Sequence, residues 1–174
     1  DYFYQVAADL RGRGEVVFAA QVTSVADSLQ RGEQLAPQVD RALRDSGACK
    51  VNIIAHSQGG LDARYVISSK GYGDRVAALV TVGTPHRGSP VADAALGLLP
   101  GLGYGVADAV LAGYQRLTGA PGVEELKPSL RQLSTANMRD QFNPRNRDDG
   151  RVRYYSVAGR SNGQRGGPGC AGGA

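Results

Sequence analysis

The 174-residue sequence predicts an α/β fold built on a mostly parallel sheet. Short β-prone apolar runs alternate with stretches whose apolar residues recur at helical spacing, the pattern of a parallel sheet with helices on both faces. Residues 50–54 form one such run and lead through a small-residue turn into another helical stretch. The apolar fraction of 41% and charged fraction of 21% are ordinary for a globular chain, which argues against disorder. The length suffices for one domain with a real core.

Residues 1–10 place Phe3, Val6, Ala7 and Leu10 at helical spacing, with Gly12 and Gly14 as stops. Residues 15–20 read as a short buried strand, because Val16, Val17 and Phe18 are apolar and β-prone. A second helix is expected from Arg31, with Leu35, Val39, Ala42 and Leu43 as its stripe, Pro37 near its start and Gly47 at its end. The strand 50–54 and its turn follow, then a helix over 58–69, a turn at Tyr72, Gly73 and Asp74, and a strand over 76–82. Residues 123–142 look helical again, and 151–158, with Val152, Tyr154 and Val157, read as a last strand. No internal repeat is apparent.

Between them, residues 90–122 are rich in alanine, leucine and glycine, with helical patches at 91–99 and 106–117 joined by Pro100 and Gly101. They are either a pair of sheet-covering helices or a mobile apolar flap, a lid-like insertion over a site. The glycines favour the flap, since lids need hinges. Residues 160–174 read as a loose glycine-rich tail.

The net charge of +4 comes from scattered arginines interleaved with acids, a solvated surface rather than a nucleic-acid platform. No apolar run is long enough to span a bilayer. The start, Asp1-Tyr2-Phe3-Tyr4, shows neither an initiator methionine nor a signal-peptide pattern, so the beginning of the gene product is expected to lie upstream. Cys49 and Cys170 permit one disulfide but make no framework or zinc motif.

The chemistry centres on Val51-Asn52-Ile53-Ile54-Ala55-His56-Ser57-Gln58-Gly59-Gly60. An apolar strand, a tight turn carrying a serine and a following helix form the sequence pattern of a nucleophile elbow. Alanine replaces the first glycine of G-x-S-x-G, giving Ala55-x-Ser57-x-Gly59. Positions two before and two after the serine approach each other, so both must be small; Gly59 and Gly60 let the helix pack against the strand. The competing reading is an ordinary strand-to-helix turn with a capping serine. As a nucleophile, Ser57 needs a base, an acid to orient that base, and two oxyanion donors. The backbone amide of Gln58, at a helix start, supplies one donor.

The chain has two histidines. His56 adjoins the serine, where neighbouring side chains diverge, so it is expected to pack or hydrogen-bond beneath the turn. His86, in Thr84-Pro85-His86-Arg87-Gly88, lies near the carboxyl edge of the sheet; a base there is conceivable, but a fixed structural hydrogen bond is the commoner fate. No His/Asp/Glu cluster has metal-ligand spacing.

These segments together resemble the bacterial secreted triacylglycerol lipases of family I. The resemblance rests on Arg31-Gly32-Glu33-Gln34-Leu35, the stretch from Val51 to Gly60, Arg64-Tyr65-Val66 and Gly83-Thr84-Pro85-His86-Arg87-Gly88-Ser89. Leu133-Ser134-Thr135 and Tyr154-Tyr155-Ser156 also resemble that family's later segments, in the same order. Ala55 departs from the family's usual glycine. The resemblance implies a three-layer α/β-hydrolase and a serine ester hydrolase forming an acyl-enzyme on lipid or ester substrates. It also implies secretion to the outside of a bacterium, a lipid–water interface and a dedicated folding chaperone. Short-chain esterase and lipid-anchor deacylase are the alternatives.

In that family a strand ending in His-Gly precedes the helix resembled by residues 1–10, and its loop supplies the second oxyanion donor. The catalytic Asp and His, and the ligands of a structural calcium, follow the strand resembled by residues 151–158. No Asp, Glu or His follows Asp149 here, so the catalytic Asp and His are absent from this chain and no cofactor is assigned to it. The chain reads as one partial α/β-hydrolase domain cut at both ends, and by itself as a catalytically silent piece. Without the His-Gly strand, residues 15–20 and 50–54 would lie two strand spacings apart, roughly 9 to 10 Å, so poor stability or a displaced first strand is expected. Cys49 and Cys170 would fall at opposite edges of the sheet, too far apart to bridge.

Overall fold

A computed structural model describes residues 3, 5–98, 112, 115, 119 and 123–159. Its centre is a three-stranded parallel sheet in the order β1 (Val51–His56), β2 (Val76–Val82) and β3 (Arg153–Val157). Ile53 aligns with Leu79 and Tyr154, and the next row aligns Ile54, Val80 and Tyr155. All three strands fall where the apolar runs predict them. Parallel neighbours need long crossovers, and helices supply these.

Helix α1 spans Val6–Gly12 and α2 spans Ser28–Ser46. Helix α1 starts later and runs further than residues 1–10 suggest, and it buries no residue. Helix α2 begins three residues before Arg31, because the Asp27 carboxylate accepts the Gln30 N–H at 2.8 Å and caps it. Pro37 therefore sits inside the helix rather than near its start. Gly47 ends it in the left-handed conformation, φ 70°, as expected. Helix α3 (Gly59–Ser68) follows the elbow, and a 3₁₀ turn, Tyr72–Asp74, precedes β2.

The strand expected at residues 15–20 is not formed. A strand needs a ladder, and these residues are not paired with the sheet. Side chains satisfy the segment and its continuation instead: Arg11 donates to the Val17 carbonyl, and the Gln38 and Gln34 carboxamides accept the Gln21 and Thr23 N–H groups. Val16 stays 71% exposed.

Two apolar clusters hold the helices. One packs Ala63 and Ile67 of α3 onto Ala55 and Leu79, with Leu35 of α2, Ile53 and Tyr154 against it. The other lies on the far side of α3, where Leu61 meets Ala92, Leu126, Leu130, Leu133, Met138 and Phe142. These come from α4 (Pro90–Ala95), α5 (Val123–Leu133) and a run of a short helix, Thr135–Asn137, a π-turn, Met138–Phe142, and a last turn, Asn143–Arg145. The α2–α3 contact is close enough that a Cβ on Gly32 would strike the Tyr65 ring. On the opposite face of the sheet Ile54, Tyr155 and Val157 are exposed. Most of the flap read over residues 90–122, and the whole tail at 160–174, lie outside the described residues. Cys49 is a free, exposed thiol, and Cys170 lies outside them.

Candidate active site

Ser57 occupies a tight turn between β1 and α3. Its φ is 52°, one of two positive values among the described residues other than glycine, against the steric preference of any residue with a Cβ. The turn is held from below. Ser57 N–H donates to the Val82 carbonyl at 2.9 Å, and its own carbonyl accepts the Thr84 hydroxyl at 2.8 Å and the Gly60 N–H at 3.1 Å. Main chain at the ends of β1 and β2 thus over-determines a conformation that costs roughly 1–3 kcal/mol.

The small residues around it divide unequally. A Cβ on Gly60 would collide with the Thr84 hydroxyl and approach the Thr81 methyl to 2.9 Å. A Cβ on Gly59 would meet the Ala55 methyl at 3.9 Å, an ordinary contact. The approach of positions 55 and 59 is real, but the requirement for glycine lies at Gly60. Gln58 precedes α3 with φ −56°, so its amide lies at the start of that helix, where the helix dipole favours negative charge.

His56 ends β1, with its Nε2 beside Gly83. His86 is fixed elsewhere. Arg64, which can only donate, reaches its Nδ1 at 3.4 Å, so the proton sits on Nε2, 3.0 Å from the Thr81 hydroxyl. That hydroxyl donates in turn to the Tyr155 carbonyl, and Asn143 donates to the His86 carbonyl. Burial first, and the Arg64 charge second, hold the imidazole below its ordinary pKa of 6.5. With both nitrogens engaged, His86 has the structural role rather than that of a base at Ser57. A cleft of about 470 Å³ opens beside it, lined by Arg64, Thr81, His86, Arg87, Asp148 and Tyr154 among others, and Ser57 is not in its walls.

Sequence reasoning missed the buried supports of the elbow. Arg31 donates from Nε to Asp62 on α3 at 2.8 Å and from Nη1 to the Thr23 carbonyl at 2.9 Å. The carbonyl of Ala26 accepts the Gln58 carboxamide and the Ser129 hydroxyl, each at 2.8 Å. The advance signal was Asp62, an acid set between Leu61 and Ala63 in a largely apolar helix. Among the described residues no group of three His, Cys, Asp or Glu could hold a metal ion.

A strained serine between a parallel strand and the helix that crosses back over it defines the α/β-hydrolase fold. Solved structures agree. Bacillus licheniformis lipase BlEst2 in its mature form superposes with TM-score 0.55 at 23% identity, covering 76% of this chain and 48% of that one. Its propeptide form gives 0.54 at 25% identity over 76% and 26%. The sequence model of the palmitoyl protein thioesterase family matches residues 14–112, more than half of the chain, and the chain belongs to that family. Among curated relatives, a triacylglycerol lipase of Vibrio cholerae is 44% identical over 100 residues, 58% of this chain and 31% of that protein. Triacylglycerol lipases of Pseudarthrobacter phenanthrenivorans and Burkholderia plantarii are each 38% identical over 122 residues, 68% of this chain and 38% and 34% of theirs. The chain therefore spans about a third of the length of these relatives.

Proposed function

We propose that this chain is the nucleophile-bearing part of a serine carboxylic-ester hydrolase, with triacylglycerol the favoured substrate class. The observation that carries the reading is Ser57 at φ 52° between β1 and α3. In this reading that strain lifts the hydroxyl clear of neighbouring backbone, and bonds to Val82, Thr84 and Gly60 sustain it.

In this reading Ser57 Oγ attacks the ester carbonyl while a base takes its proton. The carbonyl oxygen, now an anion, is held by the Gln58 N–H at the positive end of α3. The tetrahedral intermediate collapses to an acyl-enzyme, and the alcohol leaves with the proton returned by the base. Water, activated by the same base, then releases the acid and frees Ser57. The base and its orienting acid are the His and Asp that the lipase resemblance places after β3. Secretion, a lipid–water interface, a structural calcium and a folding chaperone belong to the same reading and rest on that resemblance.

A second reading, hydrolysis of thioester-linked lipid anchors, is favoured by the match to the palmitoyl protein thioesterase family. The two separate on substrate. The intact protein and its Ser57→Ala variant are assayed on emulsified long-chain triglyceride, a soluble short-chain ester and an S-palmitoylated peptide. Serine-dependent turnover highest on the emulsion supports the lipase, highest on the peptide the deacylase, and highest on the soluble ester an esterase. Turnover unchanged by Ser57→Ala would remove Ser57 from the chemistry altogether.

A further inference from the structure

The elbow is fastened to the loop 23–27 by a buried knot centred on one carbonyl. Ala26, Gln58 and Ser129 are all buried, and the Ala26 oxygen takes one hydrogen bond from each of the other two side chains. Gln58 thus has two separate polar groups with two separate tasks. Its carboxamide grips the loop, while its backbone N–H belongs to the turn that follows Ser57.

The geometry gives this grip a consequence. The Ser57–Gln58 peptide joins a left-handed residue, φ 52°, to a right-handed one, φ −56°. The direction of its N–H follows the plane of that peptide, which the Thr84 hydroxyl and the Gly60 N–H hold on the Ser57 carbonyl side, leaving the Gln58 Cα as the other point of restraint. A side chain clamped at its far end holds its own Cα and so restrains that plane. One turn further along α3, Asp62 takes Arg31, which also binds the Thr23 carbonyl. Residues 58 and 62 share a helix face, so the loop 23–27 is bolted to the first turn of α3 at two points.

We propose that the Gln58 carboxamide is a positioning residue for catalysis: by holding the Ala26 carbonyl it aims its own backbone N–H at the oxyanion. The inference rests on Ser57 as the nucleophile. It assigns the side chain a role separate from the amide, and Ser129 is its natural control. Ser129 binds the same carbonyl from α5 but has no covalent link to the oxyanion donor.

The test uses the intact protein with Gln58→Met, which keeps length and loses the donor, and with Ser129→Ala. Readouts are kcat and KM on a soluble ester, Tm, and affinity for an alkylboronic acid, which forms a tetrahedral adduct on the serine. Gln58→Met should lower kcat and boronate affinity together by about 10- to 100-fold, with KM within about twofold. Ser129→Ala should lower Tm comparably yet keep kcat within about twofold. Gln58→Glu adds a readout that survives if the methionine variant folds poorly. Its carboxyl donates to Ala26 only when protonated, so its kcat relative to wild type should rise as pH falls. Unchanged kcat and boronate affinity in Gln58→Met, an equal kcat loss in Ser129→Ala, or a pH-independent ratio for Gln58→Glu would each overturn the proposal while leaving the nucleophile in place. Turnover surviving Ser57→Ala would overturn both.

Discussion

The Arg31 guanidinium donates to Asp62 at 2.8 Å across the α2–α3 contact, and only 1% of the Asp62 side chain is exposed. Burial outweighs the arginine, so the carboxyl is pushed up to about 6 from 3.8. Asp62 Oδ1 and the nearby Ser28 hydroxyl are both buried without a well-formed hydrogen bond, which accounts for part of that cost. Because the folded value lies above the unfolded one, the native state binds this proton more tightly. The stability that this contributes is complete below pH about 3.8 and is lost as pH rises through about 6, up to roughly 3 kcal/mol. Asp62→Asn cannot titrate. Its unfolding free energy, subtracted from that of wild type across pH, should trace a step falling between those two values. A flat difference would mean that Asp62 ionises in the fold as readily as in water.

At the elbow, the two adjacent glycines should respond differently to an added methyl. Gly60→Ala drives a Cβ into Thr84 and Thr81 and should cost about 1–3 kcal/mol. Gly59→Ala meets only Ala55, at 3.9 Å, and gains helix propensity, so it should range from neutral to about 1 kcal/mol stabilising. Chemical denaturation of the two variants checks this, and the reverse order would contradict the packing described here.

The strain at Ser57 has a thermodynamic signature separate from its chemistry. Alanine there keeps a Cβ at φ 52°, whereas glycine does not mind that region. Ser57→Gly should therefore be more stable than Ser57→Ala by about 1 kcal/mol, with both inactive on esters. Equal stability of the pair would place the turn outside the left-handed region in solution.

His86 should charge at a lower pH than a free imidazole, because burial and then Arg64 disfavour its cation. With the folded value below 6.5, its contribution to stability is present above that pH and is lost as pH falls beneath it. An NMR titration of the His86 ring should show a midpoint under 6.5 that rises in Arg64→Met. A midpoint at the ordinary value in both proteins would dissolve the Arg64–His86–Thr81 chain.

How much of this was legible in the sequence differs between elements. The strands β1, β2 and β3 and the turn at Ser57 were, because apolar runs and small residues at a strand end are local signals. The start of α2 is marked by Asp27, a capping residue that an expectation of the helix from Arg31 passes over. Residues 15–20 carry a strand's composition without its structure, since β-propensity means little until a neighbouring ladder exists. The knot at Ala26 was invisible, joining residues 32 and 103 positions apart through a carbonyl that every residue possesses.

The sequence by itself determined the places of β1, β2 and β3, the serine at the turn and the lipase-like motifs around it. Periodicity and residue size act within a few positions, so a linear reading captures them. Only the tertiary structure decided that Gly60 rather than Gly59 must lack a Cβ and that His86 is tied to Thr81 and Arg64. It also decided that the Gln58 side chain has a partner of its own. Each depends on groups brought within about 3 Å by packing of distant segments, and in a low-dielectric interior that proximity decides strain, charge and hydrogen bonding.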